Sequence, residues 1–384
     1  MKFSVLLPTR NRLELLRYAI ESVRRQDFAD WEIVVSDNAS EEDIAGYVHS
    51  LSDARVRYFR TASFVPVTDN WNNALEKSTG DYVVMLGDDD CLMPGYFSTL
   101  HGLFEERGAP DLVYHSALLY AYRGVMPGFP DGFVQPYGYA GFLKNASEPF
   151  WLERATALKC VRDAMDFRVT YGFNMQFALV SRRLIGALRD KGPFFQSPYP
   201  DYYAMNAALL KAGRILVCPQ ALVAIGVSPK SFGYYYVNRA EQSGVEFLNN
   251  APDRESVRRL EHVALPGTEM NNSWLLAMET LRLNYGEEHA LKVNYGRYRL
   301  LQILQSCTAD DPRPRLPWAK LGFGEKCAAA AAWGLASVAG MFSGRLRRRL
   351  NVVFMALVRA YPMFSPPRVA GRFRNILEVH EGFR

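Results

Sequence analysis

The stretch Tyr82-Val83-Val84-Met85-Leu86-Gly87-Asp88-Asp89-Asp90 decides the fold class of this chain. Its first half is a short apolar run with β-branched residues, which is typical of a buried strand. Its second half sets three carboxylates in a row directly after that strand. Adjacent carboxylates repel one another and destabilise a fold unless a cation compensates them. The stretch therefore predicts a strand that ends at a charged edge of a sheet.

Comparable apolar runs lie on both sides of this strand, at residues 3–7, 32–35, 56–59 and, more weakly, 111–115. An apolar stripe at helical spacing follows the first run and consists of Leu13, Leu16, Ile20 and Val23. Alternation of strands and amphipathic helices is typical of a mostly parallel sheet with helices on both faces. We therefore expect an α/β, Rossmann-like fold with a central, mostly parallel sheet and a C-terminal helical extension.

Three polar loops follow predicted strands, namely residues 8–12, 36–40 and 87–90. Ligands of open α/β sheets bind at the carboxyl edge, so these loops are expected to converge on one crevice. Oxygen ligands such as Asp88 and Asp90 suit Mg²⁺ or Mn²⁺, and in an extended segment the two side chains would face the same side. Asp37 could accept a hydrogen bond from a nucleobase or a sugar. The alternatives are a solvated acidic turn at residues 88–90 and an ordinary turn or helix cap at Asp37.

The chain beyond the first 115 residues divides by composition. Aromatic, Gly and Pro residues multiply over residues 116–200, a helix is expected over 201–211, and short strands over 215–217 and 222–224. Residues 250–308 are expected to be mainly helical. We therefore predict a domain at 1–230 with two halves (1–115 and 116–230), a helical extension at 231–315, and a basic amphipathic tail at 316–384.

The tail combines apolar runs at 327–342 and 352–358 with Arg345, Arg347, Arg348 and Arg349 between them. The first run is shorter than the ~20 residues that a helix needs to cross a bilayer. A helix lying at a membrane surface, with its arginines on anionic phosphates, is therefore the expectation for 327–358. The alternative is a buried Ala-rich helix followed by a solvated basic turn.

Composition excludes several classes of protein. The 384 residues are 49% hydrophobic and 22% charged, with a net charge of +5, which fits a globular protein and gives no indication of nucleic-acid binding. The five cysteines form no Cys-x-x-Cys pair, and the first residues do not resemble a signal peptide. We therefore expect a cytoplasmic protein without a disulfide framework.

The ordered motifs at residues 5–12, 32–40 and 70–90 resemble those of the family-2 glycosyltransferases with the GT-A fold. The similarity covers about the first 110 residues, and it is specific because several motifs occur in the same order. It implies that Asp37 contacts uracil, that Asp88 lies near the ribose and that Asp90 holds Mn²⁺ or Mg²⁺. The nucleotide-binding residues implied or expected are Pro8, Thr9, Arg10, Arg12, Asp37, Asn70, Asn73, Asp88 and Asp89, with Asp88 and Asp90 as metal ligands.

The second half of the chain supplies weaker matches to the same family. Asp201, in Ser197-Pro198-Tyr199-Pro200-Asp201, resembles the family's general base, although Pro200 replaces the usual first acid and a helix N-cap is the alternative role. Asp190 is the less favoured candidate. Lys230 and Ser231 follow the last predicted strand, where family members close over the diphosphate, but a simple turn explains them equally.

The resemblance implies an inverting, metal-dependent glycosyltransferase that uses a nucleotide-diphosphate sugar, with a UDP-sugar expected. The acceptor would be a glycan or a lipid-linked glycan of bacterial surface polysaccharide or glycolipid synthesis, at the inner face of the plasma membrane. A nucleotide-sugar-binding scaffold protein of an envelope-assembly complex is the alternative. A nucleotidyltransferase and a dehydrogenase are disfavoured because no Gly-rich loop follows the first strand.

Overall fold

The computed structural model describes residues 1–137, 140–238, 240–308, 316–359, 369–370 and 373–382. The chain forms two compact units. The first comprises residues 1–158, 171–251 and 366–384, and the second comprises residues 159–170 and 252–365. The functional division into 1–230, 231–315 and 316–384 stays a prediction.

One mixed sheet organises the first unit. Its strands are β1 (Phe3–Thr9), β2 (Trp31–Asp37), β3 (Val56–Arg60), β4 (Tyr82–Met85), β5 (Cys91–Leu92), β6 (Leu112–Ala121), β7 (Phe133–Tyr137), β8 (Phe150–Trp151), β9 (Ala178–Ser181), β10 (Ile215–Val227) and β11 (Val369–Ala370). They run in the order β11-β7-β6-β9-β4-β1-β2-β3, and β10 pairs with β5, β6 and β8. The four strands β3, β2, β1 and β4 are mutually parallel, which confirms the predicted α/β fold class.

Helices cover the sheet and make up most of the second unit. They are α1 (Leu13–Arg24), α2 (Ile44–Ser50), α3 (Val67–Lys77), α4 (Tyr96–Arg107), α5 (Arg154–Met165), α6 (Arg182–Leu188), α7 (Pro200–Lys211), α8 (Phe232–Val237), α9 (Glu241–Leu248), α10 (Arg254–Leu260), α11 (Glu269–His289), α12 (Tyr295–Thr308), α13 (Phe323–Phe342), α14 (Gly344–Arg359) and α15 (Ile376–Gly382). The predicted stripe of α1 is largely buried, since Leu16, Ile20 and Val23 are inaccessible to solvent. The parallel strands β1 and β2 are buried along their whole length, as strands covered on both faces should be.

Strand β10 differs from the two short strands expected at 215–217 and 222–224. It is a single strand, β10, that pairs with β6 on both sides of an irregularity between Cys218 and Val223. Pro219 lies in this irregularity, and a proline has no N–H to donate to a neighbouring strand. Pairing resumes beyond it, so the two predicted pieces are halves of one strand.

The C-terminal residues 373–382 return to the first unit. Helix α15 buries Ile376 and Val379, and the Nδ1 atom of its His380 lies 2.7 Å from the carbonyl oxygen of Leu92. The carbonyl oxygen of Phe373 accepts a hydrogen bond from Tyr120 at 3.1 Å. The final part of the predicted tail therefore packs next to strand β5, which directly follows the three aspartates.

In the second unit, helix α13 packs on its neighbours α12 and α14. Ala329, Ala332, Ala336 and Ala339 are its buried residues and recur at helical spacing, so one small-residue face allows close packing. None of the helices within the described ranges combines the length and the apolarity needed to cross a membrane.

A buried carboxylate ties the first three parallel strands together. Glu32 in β2 accepts hydrogen bonds from Ser4 Oγ at 2.7 Å, from Arg57 Nη1 at 2.9 Å and from Lys2 Nζ at 3.1 Å, and also one from the N–H of Thr79. Burial alone would raise the pKa of Glu32, but these donors outweigh burial and lower it to about 2. Because the folded pKa lies below the unfolded one, the stabilisation is present above pH ~4.5 and is lost as the pH falls towards ~2.

We predict that Glu32→Gln lowers the free energy of unfolding at pH 7 by about 2–3 kcal/mol, since each pKa unit is worth about 1.4 kcal/mol. The difference from wild type should shrink to about half at pH 3. Urea denaturation at both pH values measures it. Glu76→Gln, at an exposed position of α3, is the control and should change stability by less than about 0.5 kcal/mol. A pH-independent difference for Glu32→Gln would contradict the prediction.

Candidate active site

The ends of β1 and β4 meet through Asp88. Its Oδ2 atom accepts a hydrogen bond from Thr9 Oγ1 at 2.7 Å, and its Oδ1 atom lies 2.9 Å from Arg12 Nη1. Arg12 also lies 3.7 Å from Asp89 Oδ1. The structure therefore brings together four of the predicted residues, namely Thr9, Arg12, Asp88 and Asp89.

The aspartate triplet turns instead of extending. The N–H of Asp90 donates to the carbonyl oxygen of Gly87 at 3.1 Å, so Asp88 and Asp89 occupy the centre of a tight turn. The extended segment expected from the sequence is wrong, because this turn sends Asp88 towards Arg12 and Asp90 towards other partners. A solvated acidic turn is also wrong, since the three residues are only 2%, 7% and 1% exposed.

The end of β10, the residue after it and a one-turn 3₁₀-helix at Met175–Phe177 hold the other two carboxylates. Asp89 Oδ2 accepts from Ser228 Oγ at 2.7 Å, and Asp90 Oδ1 accepts from the N–H of Gly226 at 2.8 Å. Asp90 Oδ2 accepts from Gln176 Nε2 at 2.9 Å. A Cβ atom on Gly226 would lie 1.9 Å from the carbonyl oxygen of Asp89, so only glycine allows this approach.

Burial governs the protonation of the triplet. It raises the pKa of Asp88 to about 6, against the opposing effect of Arg12. Burial and repulsion from Asp89 together raise the pKa of Asp90 to about 8. Burial opposes the charge of Arg12, but the three carboxylates outweigh it and raise the pKa of the guanidinium. One guanidinium beside three buried carboxylates leaves negative charge that protons or a cation must balance.

Asp37 ends strand β2 and is completely buried. Its Oδ1 atom accepts from the N–H of Ser40 at 2.9 Å, and its Oδ2 atom accepts from Tyr58 Oη at 2.7 Å and from Arg60 Nη1 at 3.1 Å. The predicted contact of Asp37 with a nucleobase stays a prediction. Tyr58 and Arg60 were not predicted from the sequence as partners of Asp37. Arg60 ends the neighbouring parallel strand, so its position could have indicated this contact.

The other predicted nucleotide-binding residues make contacts within the protein. Asn70 Oδ1 accepts a hydrogen bond from Ser36 Oγ at 2.6 Å, and Asn73 Nδ2 donates to Ser36 Oγ at 2.7 Å. Both asparagines therefore hold the end of β2. Pro8 pairs with Ser36 in the sheet register. The guanidinium of Arg10 lies 3.7 Å from the centre of the Phe64 ring.

Lys230 and Ser231, expected near the diphosphate, differ in their contacts: Lys230 bonds to the loop after β1, and Ser231 caps a helix. Lys230 Nζ donates to the carbonyl oxygen of Asn11 at 2.8 Å. Ser231 caps helix α8, because its Oγ atom accepts from the N–H of Tyr234 at 3.2 Å. These contacts bring Lys230 to the edge predicted for the ligand and give Ser231 a local structural role. A phosphate contact of either residue stays a prediction.

Asp201 lies at the start of helix α7, which begins at Pro200 with Tyr199 as its N-cap residue. Its Oδ1 atom accepts a hydrogen bond from the N–H of the next residue, Tyr202, at 3.1 Å. Burial raises the pKa of this carboxyl group to about 7, although part of the residue reaches solvent. Asp201 is therefore not the N-cap residue, and it carries a carboxyl group that changes charge near neutral pH.

Two contacts link the start of α7 to α3 and to the segment before Gln176. Thr68 Oγ1 of α3 donates to the carbonyl oxygen of Ser197 at 2.7 Å. The ring of Phe173, three residues before Gln176, packs on Tyr202 with centroids 5.0 Å apart. Gln176 was not predicted from the sequence, since it lies in the one-turn 3₁₀-helix Met175–Phe177, 86 positions from Asp90, and carries no local motif.

The donor atoms fit a divalent ion that is bound together with a phosphate ligand. Over the described residues there is no group of three or more His, Cys, Asp or Glu side chains arranged to hold an ion alone. A carboxylate accepts about four hydrogen bonds, and Asp88 uses two of these positions. Mg²⁺ is commonly held by one or two carboxylates plus substrate phosphates, and Asp88 keeps acceptor positions for such an ion. Joint coordination by Asp88 and Asp90 stays a prediction, because the turn directs the two side chains to different partners.

Comparison with known proteins gives the family of the N-terminal segment. The model of "Glycosyl transferase family 2" matches residues 4–120, which contain Thr9, Arg12, Asp37 and the aspartate triplet. This segment belongs to glycosyl transferase family 2. The resemblance stated from the sequence motifs is thereby confirmed.

Relatives of this family-2 segment include two bacterial enzymes. The chain is 43% identical over 102 residues to GalNAc(5)-diNAcBac-PP-undecaprenol beta-1,3-glucosyltransferase of Campylobacter jejuni, covering 26% of this chain and 33% of that one. It is 28% identical over 87 residues to UDP-Glc:alpha-D-GlcNAc-diphosphoundecaprenol beta-1,3-glucosyltransferase WfgD of Escherichia coli, covering 23% and 34%. The chain thus spans about a third of the length of these relatives. Among solved structures, S. aureus TarS 1-349 overlaps with a TM-score of 0.47 and 17% identity over 87% of this chain and 89% of that chain.

Proposed function

We propose that this protein is an inverting glycosyltransferase that moves a sugar from a UDP-sugar to a hydroxyl of a lipid-linked glycan. The observation that carries the proposal is the buried aspartate triplet, held by Thr9 and Arg12 at the carboxyl edge of parallel strands within the family-2 segment. The names of the two bacterial relatives describe glucosyltransferases of diphosphoundecaprenol-linked glycans, and one of them names UDP-Glc. These names support the donor and acceptor classes, and with them a place in bacterial glycan or glycolipid synthesis.

On the donor side, Asp37 would accept a hydrogen bond from the uracil imide at the end of β2. Asp37 is completely buried and its Oδ2 atom already accepts from Tyr58 and Arg60, so the half-exposed Arg60 side chain would have to move aside when the uracil binds. Asp88 and Asp90 would hold Mn²⁺ or Mg²⁺ together with the donor diphosphate, and this ion would stabilise the charge of the leaving group. Arg12 adds a fixed positive charge next to the same position.

On the acceptor side, Asp201 would remove the proton of the attacking hydroxyl. A general base works best when its pKa lies near the working pH, and burial raises the pKa of Asp201 to about 7. Its Oδ1 atom accepts a hydrogen bond from the N–H of Tyr202, and its Oδ2 atom would accept the hydrogen bond of the incoming hydroxyl. Attack from the face opposite the diphosphate inverts the anomeric carbon.

We predict that Asp201→Asn lowers kcat by at least about a hundredfold, because a general base contributes about 10²–10⁴ to the rate. The affinity for UDP, measured by calorimetry, should stay within about twofold of wild type. The rate of the wild-type protein should rise as the pH passes through about 7, since the base must be deprotonated. Asp190→Asn, at a nearby exposed carboxylate, is the matched control and should keep full activity.

Two outcomes count against Asp201 as the base. One is an equal loss of UDP affinity and rate in Asp201→Asn, which would give the residue a binding role. The other is donor binding without any transfer or hydrolysis by the wild-type protein. That result would favour a nucleotide-sugar-binding scaffold protein.

We predict that Mn²⁺ tightens UDP binding at least about tenfold in the wild-type protein and has no such effect in Asp90→Asn. The gain should grow as the pH rises towards 8, because burial raises the pKa of Asp90 to about 8 and the ion must displace that proton. Titration calorimetry with and without Mn²⁺ measures both effects. Asp69→Asn, an exposed residue of α3, is the control. An unchanged metal effect in Asp90→Asn would reject the assignment.

We further propose that helices α13 and α14 dock on an anionic membrane surface, which would bring the enzyme to a lipid-linked acceptor. Away from its buried alanines, α13 exposes Trp333 at 64%, Met341 at 79% and Phe342 at 78%, among other large apolar residues. Arg345 and Arg349 begin the next helix, directly after this apolar face. Apolar residues next to arginines match the headgroup region and phosphates of anionic lipid.

We predict that the triple variant Trp333→Ser/Met341→Ser/Phe342→Ser loses at least about tenfold in binding to phosphatidylglycerol vesicles in flotation assays. The matched control Val257→Ser/Leu283→Ser removes two exposed apolar side chains elsewhere and should float like wild type. Truncation before Leu316 is a poorer test, because it also removes α15 from the first unit. Flotation of the triple variant equal to that of wild type would refute membrane docking. So would a wild-type protein that binds no vesicles but self-associates, if the triple variant no longer self-associates.

A further inference from the structure

Residues 171–177, called here the bridging segment, contact both the aspartate triplet and helix α7. Gln176 Nε2 donates to Asp90 Oδ2 at 2.9 Å. Three positions earlier, the ring of Phe173 packs on Tyr202, the residue that follows the proposed base, with ring centroids 5.0 Å apart. Three residues of chain span at most about 11 Å, so one short stretch of backbone carries both contacts.

Three donors hold the carboxylate of Asp90, and among the described residues Gln176 is the one side chain that bonds to it. The other two donors are backbone groups, the N–H of Gly226 at 2.8 Å from Oδ1 and the N–H of Gly87 at 2.8 Å from Oδ2. A carboxylate accepts about four hydrogen bonds, so one position is left for a further ligand. Gln176 is therefore the side chain that helps to fix where this last position points.

The bridging segment is itself anchored at both ends. Tyr171 Oη donates to Asn206 Oδ1 of α7 at 2.8 Å. The hydroxyl of Tyr114 in β6 accepts from the N–H of Gly172 at 3.0 Å and donates to the carbonyl oxygen of the same residue at 3.2 Å. The ring of Phe177 stacks on Tyr114 with centroids 5.5 Å apart. Because hydrogen bonds and ring contacts hold both ends, the segment acts as a spacer of fixed length.

We propose that the bridging segment sets the distance between the metal-binding carboxylate and the general base of the reaction. The inference rests on the proposed function, which gives these roles to Asp90 and Asp201. Gln176 and Phe173 are positioning residues, the first through Asp90 and the second through Tyr202. In an in-line displacement the attacking and leaving groups must align on one carbon, and a misplacement of about 1 Å can cost about a hundredfold in rate. A spacer that contacts both sides therefore controls this alignment.

The first test measures Mn²⁺ binding by the full chain saturated with UDP, with the electron paramagnetic resonance signal of free Mn²⁺ as the readout. Gln176→Met keeps the length of the side chain but removes the donor to Asp90. We expect the affinity for Mn²⁺ to fall about three- to tenfold, the loss expected for one hydrogen bond. The matched control is Asn174→Ala, since Asn174 is partly exposed in the same segment and its side chain makes no hydrogen bond among the described residues. It should bind Mn²⁺ like wild type.

The second test addresses the contact with α7. Phe173→Leu and Tyr202→Leu each remove one ring of the same pair. We expect each variant to lower kcat at least about tenfold, while the affinities for UDP and Mn²⁺ stay within about twofold of wild type. Because both variants remove one shared contact, the double variant should lose little more than either single variant. All rates are measured below the onset of thermal unfolding of each variant.

Three results would overturn the proposal and leave the proposed function intact. The first is an equal affinity of Gln176→Met and Asn174→Ala for Mn²⁺. The second is a loss of UDP or Mn²⁺ affinity in the two leucine variants as large as their loss of kcat. The third is full additivity of their effects on kcat in the double variant. A wild-type protein whose UDP complex does not bind Mn²⁺ would instead overturn both the metal role of Asp90 and this inference, so the two failures are distinguishable.

Discussion

The contact between Arg12 and Asp88 is the interaction on which the candidate site depends. Three adjacent carboxylates are buried, and burial of unpaired charge is among the most costly features that a fold can carry. Arg12 compensates part of this charge, Thr9 at the end of β1 adds a hydrogen bond, and Gly226 and Ser228 at the end of β10 add two more. Because these donors come from the ends of two other strands, the triplet fixes the relative positions of the chain ends of β1, β4 and β10.

The fold and half of this site could be predicted from the sequence, because their signals are local. Apolar runs and helical spacing gave β1, β2, β4 and α1, and parallel strands place their carboxyl ends at one edge. Thr9, Arg12 and Asp88 were predicted there and do meet. Gln176 and the role of Gly226 were not predictable, because they reach Asp90 across 86 and 136 positions and depend on tertiary packing.

The C-terminal residues illustrate the same limit in another way. The sequence indicated one amphipathic tail over 316–384, because composition changes gradually there and contains no strong boundary. In the structure α13 and α14 belong to the second unit, whereas α15 belongs to the first. The deciding residues are Ile376 and Val379, which share one helical face and are fully buried in the first unit. Two apolar positions are too weak a pattern to predict docking, although their burial anchors the segment beside β5.

Burial also explains why the site is sensitive to pH near neutrality. Burial raises the pKa of Asp88 and Asp90, and repulsion from the neighbouring Asp89 adds to this effect. It also raises the pKa of Asp201, without a contribution from a second acid. In the proposed reaction a cation would displace protons from Asp88 and Asp90, and Asp201 would have to lose its proton before it acts as the base. Both requirements favour the same, higher pH. One physical cause, removal of carboxyl groups from water, therefore sets the working range of both halves of the proposed reaction.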